Sequence, residues 1–266
     1  MPESPPEGAG PIRYVEYSDG SAGRVSGAII EERPVCIFVN GEELATLLCT
    51  PTGLEDLAVG FLFSEGIIDG IDGIEAMSVS AGLTCVDLWL RDRDLEPPTR
   101  RIITSGCGGG ITFDDTETIL ARHEPLGPGV TLAPSQISHL MREVLRSADL
   151  YNVARGAHTS ALSDGESVVF VAQDIGRHNT IDRLAGRALL ERVSTEGAIL
   201  LTSGRISSEM LTKAARMRAP VAISRTSPTS FSVELATAWN ITLIGYARGT
   251  NFRVYSAPER VDLAAG

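Results

Sequence analysis

The sequence predicts an α/β protein: a C-terminal half built on a largely parallel sheet, with a smaller strand-rich region before it. Two observations point there. From about residue 134, short apolar strands alternate with helical segments, the signature of βαβ units. Ahead of that, strand patterns dominate and a single segment carries clear helical spacing. The 266 residues give ample length for a buried core, in one large domain or two modest ones.

Taken in order, residues 1–11 are rich in Pro, Glu and Gly and are expected to be disordered. Val35 to Val39 and Ala45 to Cys49 flank Asn40-Gly41, a pair that tolerates the positive φ of a tight turn, so the stretch reads as a β-hairpin. Leu54 to Phe63 has helical apolar spacing, with Glu55 and Asp56 in the first turn where they complement the dipole. It should end near Ser64-Glu65-Gly66. Val79 to Ser80 and Thr84 to Leu90 look like short strands, and Glu96-Pro97-Pro98 then interrupts the pattern. A soft boundary near Gly127-Pro128-Gly129 separates a mixed region, 12–128, from an α/β region, 129–266. The second region opens with a helix from Pro134 to Ala148. Strands at Ser167 to Ala172, Ala198 to Thr202, Pro220 to Ile223 and Thr242 to Tyr246 then alternate with helices near 178–192, 207–218 and 230–239.

Against 23 basic residues stand 34 acidic ones, a formal net charge of −11. This argues against duplex nucleic acid and anionic membrane as partners, because both need a basic surface. Any anionic ligand must be met by a local cluster. No apolar run approaches the roughly 20 residues of a membrane span. The start, Met1-Pro2-Glu3-Ser4, lacks the basic and apolar regions of a signal peptide, and a cytoplasmic protein is expected. Cys36, Cys49, Cys85 and Cys107 are widely spaced with no C-x-x-C pair, so reduced thiols are expected rather than a disulfide framework or a zinc ribbon.

Each of the four C-terminal strands is followed closely by an arginine: Arg177, Arg205, Arg225 and Arg248. In a parallel sheet the carboxyl ends share one edge, where α/β folds bind ligands. Two of the turns enter helices through Ser207-Ser208-Glu209 and Ser227-Pro228-Thr229-Ser230, and helix starts favour anions as arginine does. A phosphate or nucleotide site is expected along that edge. The alternative is that the hydroxyls only cap helices and the arginines pair with surface carboxylates.

Cys107 lies in Ser105-Gly106-Cys107-Gly108-Gly109-Gly110, and glycine lets backbone curl tightly and approach a ligand closely. A thiol presented in this way suits a nucleophile or sulfur carrier, because successive N–H groups can stabilise the thiolate. The other three cysteines fall in strand patterns and are read as core residues. His158, flanked by small residues, suits an imidazole facing a cleft; His178 opens a helix and serves either a site or a hydrogen bond there. His123 and His139 are read as surface residues. Zinc deaminase chemistry needs H-x-E and P-C-x-x-C. Here Ser160 stands two residues after His158 and no cysteine pair exists. Neither a Walker A motif nor a GxGxxG after a strand is present.

Several segments together resemble the formate dehydrogenase accessory sulfurtransferase family, FdhD. They are Leu54 to Gly66, Gly156-Ala157-His158-Thr159-Ser160-Ala161, Asp174-Ile175-Gly176-Arg177-His178-Asn179, Ser203-Gly204-Arg205, and Gly245 to Tyr255. The resemblance implies a cytoplasmic homodimer whose C-terminal part has a three-layer, cytidine-deaminase-like fold without deaminase chemistry. It implies a sulfurtransferase that takes sulfane sulfur from a cysteine desulfurase as a persulfide on Cys107. The sulfur then passes to the molybdenum or tungsten bis(pterin guanine dinucleotide) cofactor, which enters formate dehydrogenase. The family's cofactor segment falls on Tyr246, Ala247, Arg248, Gly249, Thr250 and Asn251, and Arg177, His178, Arg205, Arg225 and His158 join it from the reading of the strand ends. A guanine nucleotide would mimic the cofactor.

One position departs from the family pattern. The family's loop commonly carries C-x-x-C, and the second position here is Gly110. Sulfur must then go directly from the Cys107 persulfide to its acceptor or be released by another thiol. The alternative function is a chaperone that binds the cofactor without covalent chemistry; a nucleotide-processing enzyme on a deaminase-like fold is a third reading.

Overall fold

The computed structural model describes residues 5–93 and 116–264. Its first element is a ribbon, β1 (Ala9–Ser18) paired antiparallel with β2 (Ser21–Ile30) around Asp19 and Gly20, whose φ angles are 51° and 81°. The strand thus begins at Ala9, inside the stretch that composition had set aside as disordered. Tyr14, Val15 and Tyr17 stay exposed, so the ribbon lacks the buried face whose alternation would have announced it.

A four-stranded sheet follows, in the order β4 (Glu42–Cys49), β3 (Arg33–Val39), β6 (Cys85–Leu90), β5 (Ile74–Val79). The pair β3·β6 is parallel and the other two pairings are antiparallel. Asn40 and Gly41 close the expected hairpin, both at positive φ, 52° and 90°. Val35, Ile37 and Val39 alternate with half-buried or exposed neighbours, and their face packs on α1 (Leu54–Ser64) through Leu54, Leu57, Phe61 and Leu62.

The C-terminal sheet has six strands in the order β12 (Asn251–Ser256), β11 (Thr242–Arg248), β10 (Val221–Ser224), β9 (Ile199–Thr202), β7 (His158–Ser163), β8 (Val168–Asp174). Only β9·β10 and β10·β11 pair in parallel; β7·β8, β7·β9 and β11·β12 are antiparallel. The expectation of a largely parallel sheet is therefore corrected to a mixed one. Its cause is two strands that sequence patterns hid: β7, inserted between β8 and β9, and β12, which turns back from β11 at Gly249-Thr250. The two antiparallel steps through β7 cancel, so β8, β9, β10 and β11 still run in one direction.

Helices cover both faces. Against one lies α3 (Pro134–Arg146), with Ile137, Leu140, Met141 and Val144 on Ile199, Leu201, Val221 and Ile223. Against the other lie α5 (Arg177–Leu190), α6 (Ser208–Arg216) and α7 (Ser230–Ala238), on Leu200, Ala222 and Leu243. Burial on both faces explains why these strands read as unbroken apolar runs. Two short helices, α2 (Thr116–Leu120) and α4 (Asp149–Ala154), complete the description.

The expected boundary at residues 127–129 is tied into the fold. Arg260, 2% exposed, donates to the carbonyls of Gly127 and Pro128 and lies 3.3 Å from Thr242 Oγ1. The two sheets are joined by helices: α1, from the first region, packs directly on α5 of the second.

Candidate functional site

The site begins with a buried carboxylate. Asp174, at the end of β8, is inaccessible to solvent and accepts bonds from the backbone N–H of Gly176 at 2.7 Å and from Asn179 Nδ2 at 2.9 Å. Its other oxygen accepts from Arg183, Nε at 3.0 Å and a terminal nitrogen at 2.6 Å. Arg183 also donates to the carbonyls of Thr50 and Gly53 at 2.7 and 2.9 Å, and Asn179 to that of Leu48 at 2.9 Å. This cluster fixes the turn from β8 into α5 against the end of β4. It thereby fixes Arg177 and His178, the first residues of that helix.

His178 is mostly buried, with Nε2 3.3 Å from Ser207 Oγ and 3.2 Å from a Glu209 carboxylate oxygen. Burial pushes its imidazole down to about 3, and the positive charges of Lys213 and Arg177 add to the effect. The ring is neutral at physiological pH, so the contact with Glu209 is a hydrogen bond donated by a neutral imidazole. Lys213, beneath it, is itself spent on Asp182, at 2.6 and 2.5 Å from the two carboxylate oxygens.

His158 opens β7 directly opposite Asp174. Because β7 lies between β8 and β9, the ring sits between the turns bearing Arg177 and Arg205. A Cβ at Gly204 would lie 3.1 Å from Arg177 Cβ and 3.3 Å from His158 Nδ1, so any larger residue would press on both. Burial, then Arg177, lowers the His158 pKa below its ordinary value; Asp174 opposes this and Arg205 adds to it.

Under these turns runs a ladder of hydroxyls that the sequence reading missed. Thr180 Oγ1 donates to the Arg177 carbonyl at 2.6 Å and lies 2.7 Å from Ser160 Oγ, which is 2.9 Å from Thr202 Oγ1. Thr202 accepts from the Gly204 N–H at 3.1 Å, and Ser224 Oγ donates to the Gly204 carbonyl at 2.6 Å. Ser224 also accepts from the Thr226 N–H at 2.8 Å, and the Thr226 carbonyl accepts from the Tyr246 N–H at 2.8 Å. Backbone and hydroxyl bonds thus run continuously from Arg177 to Tyr246. Isolated serines and threonines within strands read as loop residues, which is why this ladder gave no signal.

At the far end Tyr246 takes a positive φ of 53°. The Arg253 guanidinium lies 4.3 Å and that of Arg248 6.0 Å from the centre of its ring. Arg253, on the unexpected strand β12, was missed with it. Arg248 Nε donates to the Arg225 carbonyl at 3.0 Å. Arg205, Arg225, Arg248, Gly249, Thr250 and Asn251 are exposed. Ala247 is 4% exposed and its side chain faces the α3 layer, which leaves its backbone to the edge. Neighbouring strands are about 4.8 Å apart, so the edge from β11 to β8 is on the order of 20 Å long.

Cys107 and Gly110 lie outside the described residues. Of the other thiols, Cys49 is in the core and burial pushes it up to about 12, whereas Cys36 and Cys85 are only half-buried, against expectation. His123 is also corrected: it packs edge-on against Trp239, ring centres 4.9 Å apart, and burial pushes it down to about 4. Among the described residues, no helix is long and apolar enough to cross a membrane.

Comparison with known proteins agrees with the motifs. A relative from Staphylococcus aureus strain MRSA252, "Sulfur carrier protein FdhD", is 38% identical over 251 residues, covering 93% of this chain and 94% of its own length. The protein of the same name from strain Newman matches to the same extent. A crystal structure of a candidate formate dehydrogenase accessory protein from Desulfotalea psychrophila superposes with a TM-score of 0.81 at 27% identity, covering 96% of this chain and 99% of that one. The model of the FdhD/NarQ family matches residues 30–262, and the chain belongs to that family.

Proposed function

We propose that this protein is a sulfur carrier for the maturation of formate dehydrogenase. Cys107 takes sulfane sulfur from a cysteine desulfurase as a persulfide. The arginine edge holds the phosphates and guanine of a molybdenum or tungsten bis(pterin guanine dinucleotide) cofactor, the substrate that receives the sulfur. The curated relatives carry the name sulfur carrier protein, and the solved structure that of a formate dehydrogenase accessory protein. The observation that carries the reading is the edge itself: Arg177, Arg205 and Arg225 follow, and Arg248 ends, strands that run in one direction, on a chain of net charge −11. An edge of about 20 Å suits an elongated polyanion better than a single phosphate.

The chain's own residues have definable tasks. Arg205, Arg225 and Arg248 offer forked donors to phosphate oxygens; Tyr246, with Arg253 against its ring, offers a face for a purine. Neutral His158, between Arg177 and Arg205, can accept a proton or a hydrogen bond there. In this reading the protein works as a homodimer.

Incubation with a cysteine desulfurase and cysteine should add about 32 Da, one sulfur atom, at Cys107. Absence of that adduct, while a thiol reagent still labels Cys107, would overturn the carrier reading. Gly110 favours a second reading, a chaperone that protects the cofactor without covalent chemistry. Full rescue of formate dehydrogenase activity by Cys107→Ala would select it.

A further inference from the structure

Cys36 and Cys85 are direct lateral partners on the parallel strands β3 and β6. Their neighbours Val35, Ile37, Val86 and Leu88 fill the inner face of the sheet, which leaves the two thiols side by side on the outer face, both half-buried. Adjacent strands are about 4.8 Å apart, so the two Cβ atoms are roughly 5 Å apart; a disulfide needs about 3.5–4.5 Å. A shift on the order of 1 Å closes the bridge. The Cys36 sulfur lies 3.4 Å from Thr46 Oγ1, whose hydroxyl also donates to Glu43 at 2.8 Å. Cys85 lies 3.8 Å from the Thr84 hydroxyl.

The strand β3 also leads from the pair back to the strand that holds the first turn of α5. Leu48, whose carbonyl accepts from Asn179 in the first turn of α5, is the strand partner of Pro34. Cys36 is two residues further along β3, roughly 7 Å.

We propose that Cys36 and Cys85 form a dithiol that discharges sulfane sulfur as sulfide. The inference rests on the carrier reading, and it supplies from the four-stranded sheet the second thiol that Gly110 withholds from the loop. The Cys36 thiolate attacks the outer sulfur of a persulfide, R–S–SH; a new S–S bond forms on Cys36 and R–S⁻ leaves. The Cys85 thiolate then attacks the inner sulfur of the Cys36 persulfide, forming the Cys36–Cys85 disulfide and expelling HS⁻. The two cysteine protons end on R–SH and H₂S. The dithiol loses two electrons and the sulfane sulfur gains them, so no other oxidant or reductant is required.

The test uses full-length Cys107→Ser protein with glutathione persulfide, and follows trapped sulfide together with peptide masses. Expected are about one sulfide per chain and a linked Cys36–Cys85 peptide pair about 2 Da lighter than the two thiol peptides. Both should vanish in Cys36→Ser and Cys85→Ser on the same background, each with an unchanged circular dichroism spectrum. Sulfide release that persists in those variants, or release without the linked peptides, overturns the proposal. Because Cys107 is absent from this assay, its outcome is independent of desulfurase loading: failure to load Cys107 sinks the carrier reading, and failure to link Cys36 to Cys85 sinks this one.

Discussion

Gly60 of α1 and Gly186 of α5 bring two helix backbones into direct contact. A Cβ on Gly60 would lie 1.7 Å from the Asp182 carbonyl oxygen, and one on Gly186 would lie 1.9 Å from that of Asp56. The obstacles are main chain, which cannot rotate away as a side chain can. Gly60→Ala or Gly186→Ala should therefore cost at least about 3 kcal/mol, the upper end of overpacking penalties. Gly23→Ala, where a Cβ meets nothing within 4 Å, should change stability by under about 0.5 kcal/mol. Urea unfolding of the three variants decides; comparable midpoints would mean that the crossing is looser than described.

The same junction holds a buried ion pair. Asp182, 2% exposed, accepts from Lys213 Nζ and also from Ser64 Oγ at 2.6 Å, so one carboxylate links α1, α5 and α6. Removing one partner strands a buried charge. Asp182→Asn should cost about 3–5 kcal/mol, whereas Asp182→Leu combined with Lys213→Met should recover most of it, because desolvation of the pair offsets much of its attraction. A double variant as unstable as the single one would show that the pair is worth more than its desolvation.

These junctions show where sequence patterns stop. The Asn40-Gly41 hairpin was legible because two adjacent residues at positive φ demand that chemistry, and β9 to β11 were legible because burial on both faces leaves unbroken apolar runs. The strand β7 was not, since Thr159 and Ser160 are buried hydroxyl residues that resemble a loop until the Thr159 N–H is seen to donate to Ser203 Oγ and the Ser160 hydroxyl to meet Thr180 and Thr202. With β7 hidden, the sheet read as parallel, yet the shared edge survived because β7 reverses direction twice. Gly60 and Asp182 look ordinary in their helices; what makes each necessary is a residue more than 100 positions away.

Acid should destabilise the protein through two histidines held neutral. Unfolded histidine titrates at 6.5, whereas burial pushes His123 to about 4 and His178 to about 3. Between these values the unfolded chain binds more protons, so the stability is fully present above pH 6.5 and is lost as pH falls. Each group contributes up to about 1.4 kcal/mol per pH unit in that window. His123→Phe keeps the edge-on contact with Trp239, and His178→Gln keeps hydrogen bonding to Ser207. The double variant should lose less melting temperature from pH 7 to pH 5 than the unaltered protein. Parallel curves would show that both rings are already charged or solvated in the folded state.

The arginine edge can be separated from the ladder beneath it. Arg205 and Arg225 are exposed, so Arg205→Ala and Arg225→Ala should leave unfolding within about 0.5 kcal/mol. Each should weaken binding of GDP about tenfold or more, as expected for one charge-assisted phosphate contact, with a shallower salt dependence. Ser224→Ala acts by another route: it removes the donor to the Gly204 carbonyl and the acceptor for the Thr226 N–H, leaving two main-chain groups unsatisfied at about 1–3 kcal/mol of stability. Its GDP affinity should fall with the salt dependence unchanged, since no charge is lost. Calorimetric titration at two salt concentrations distinguishes the two effects. If the Arg205→Ala, Arg225→Ala double variant binds GDP as tightly as the unaltered protein, the phosphates lie elsewhere, and the common direction of β8 to β11 serves the fold alone.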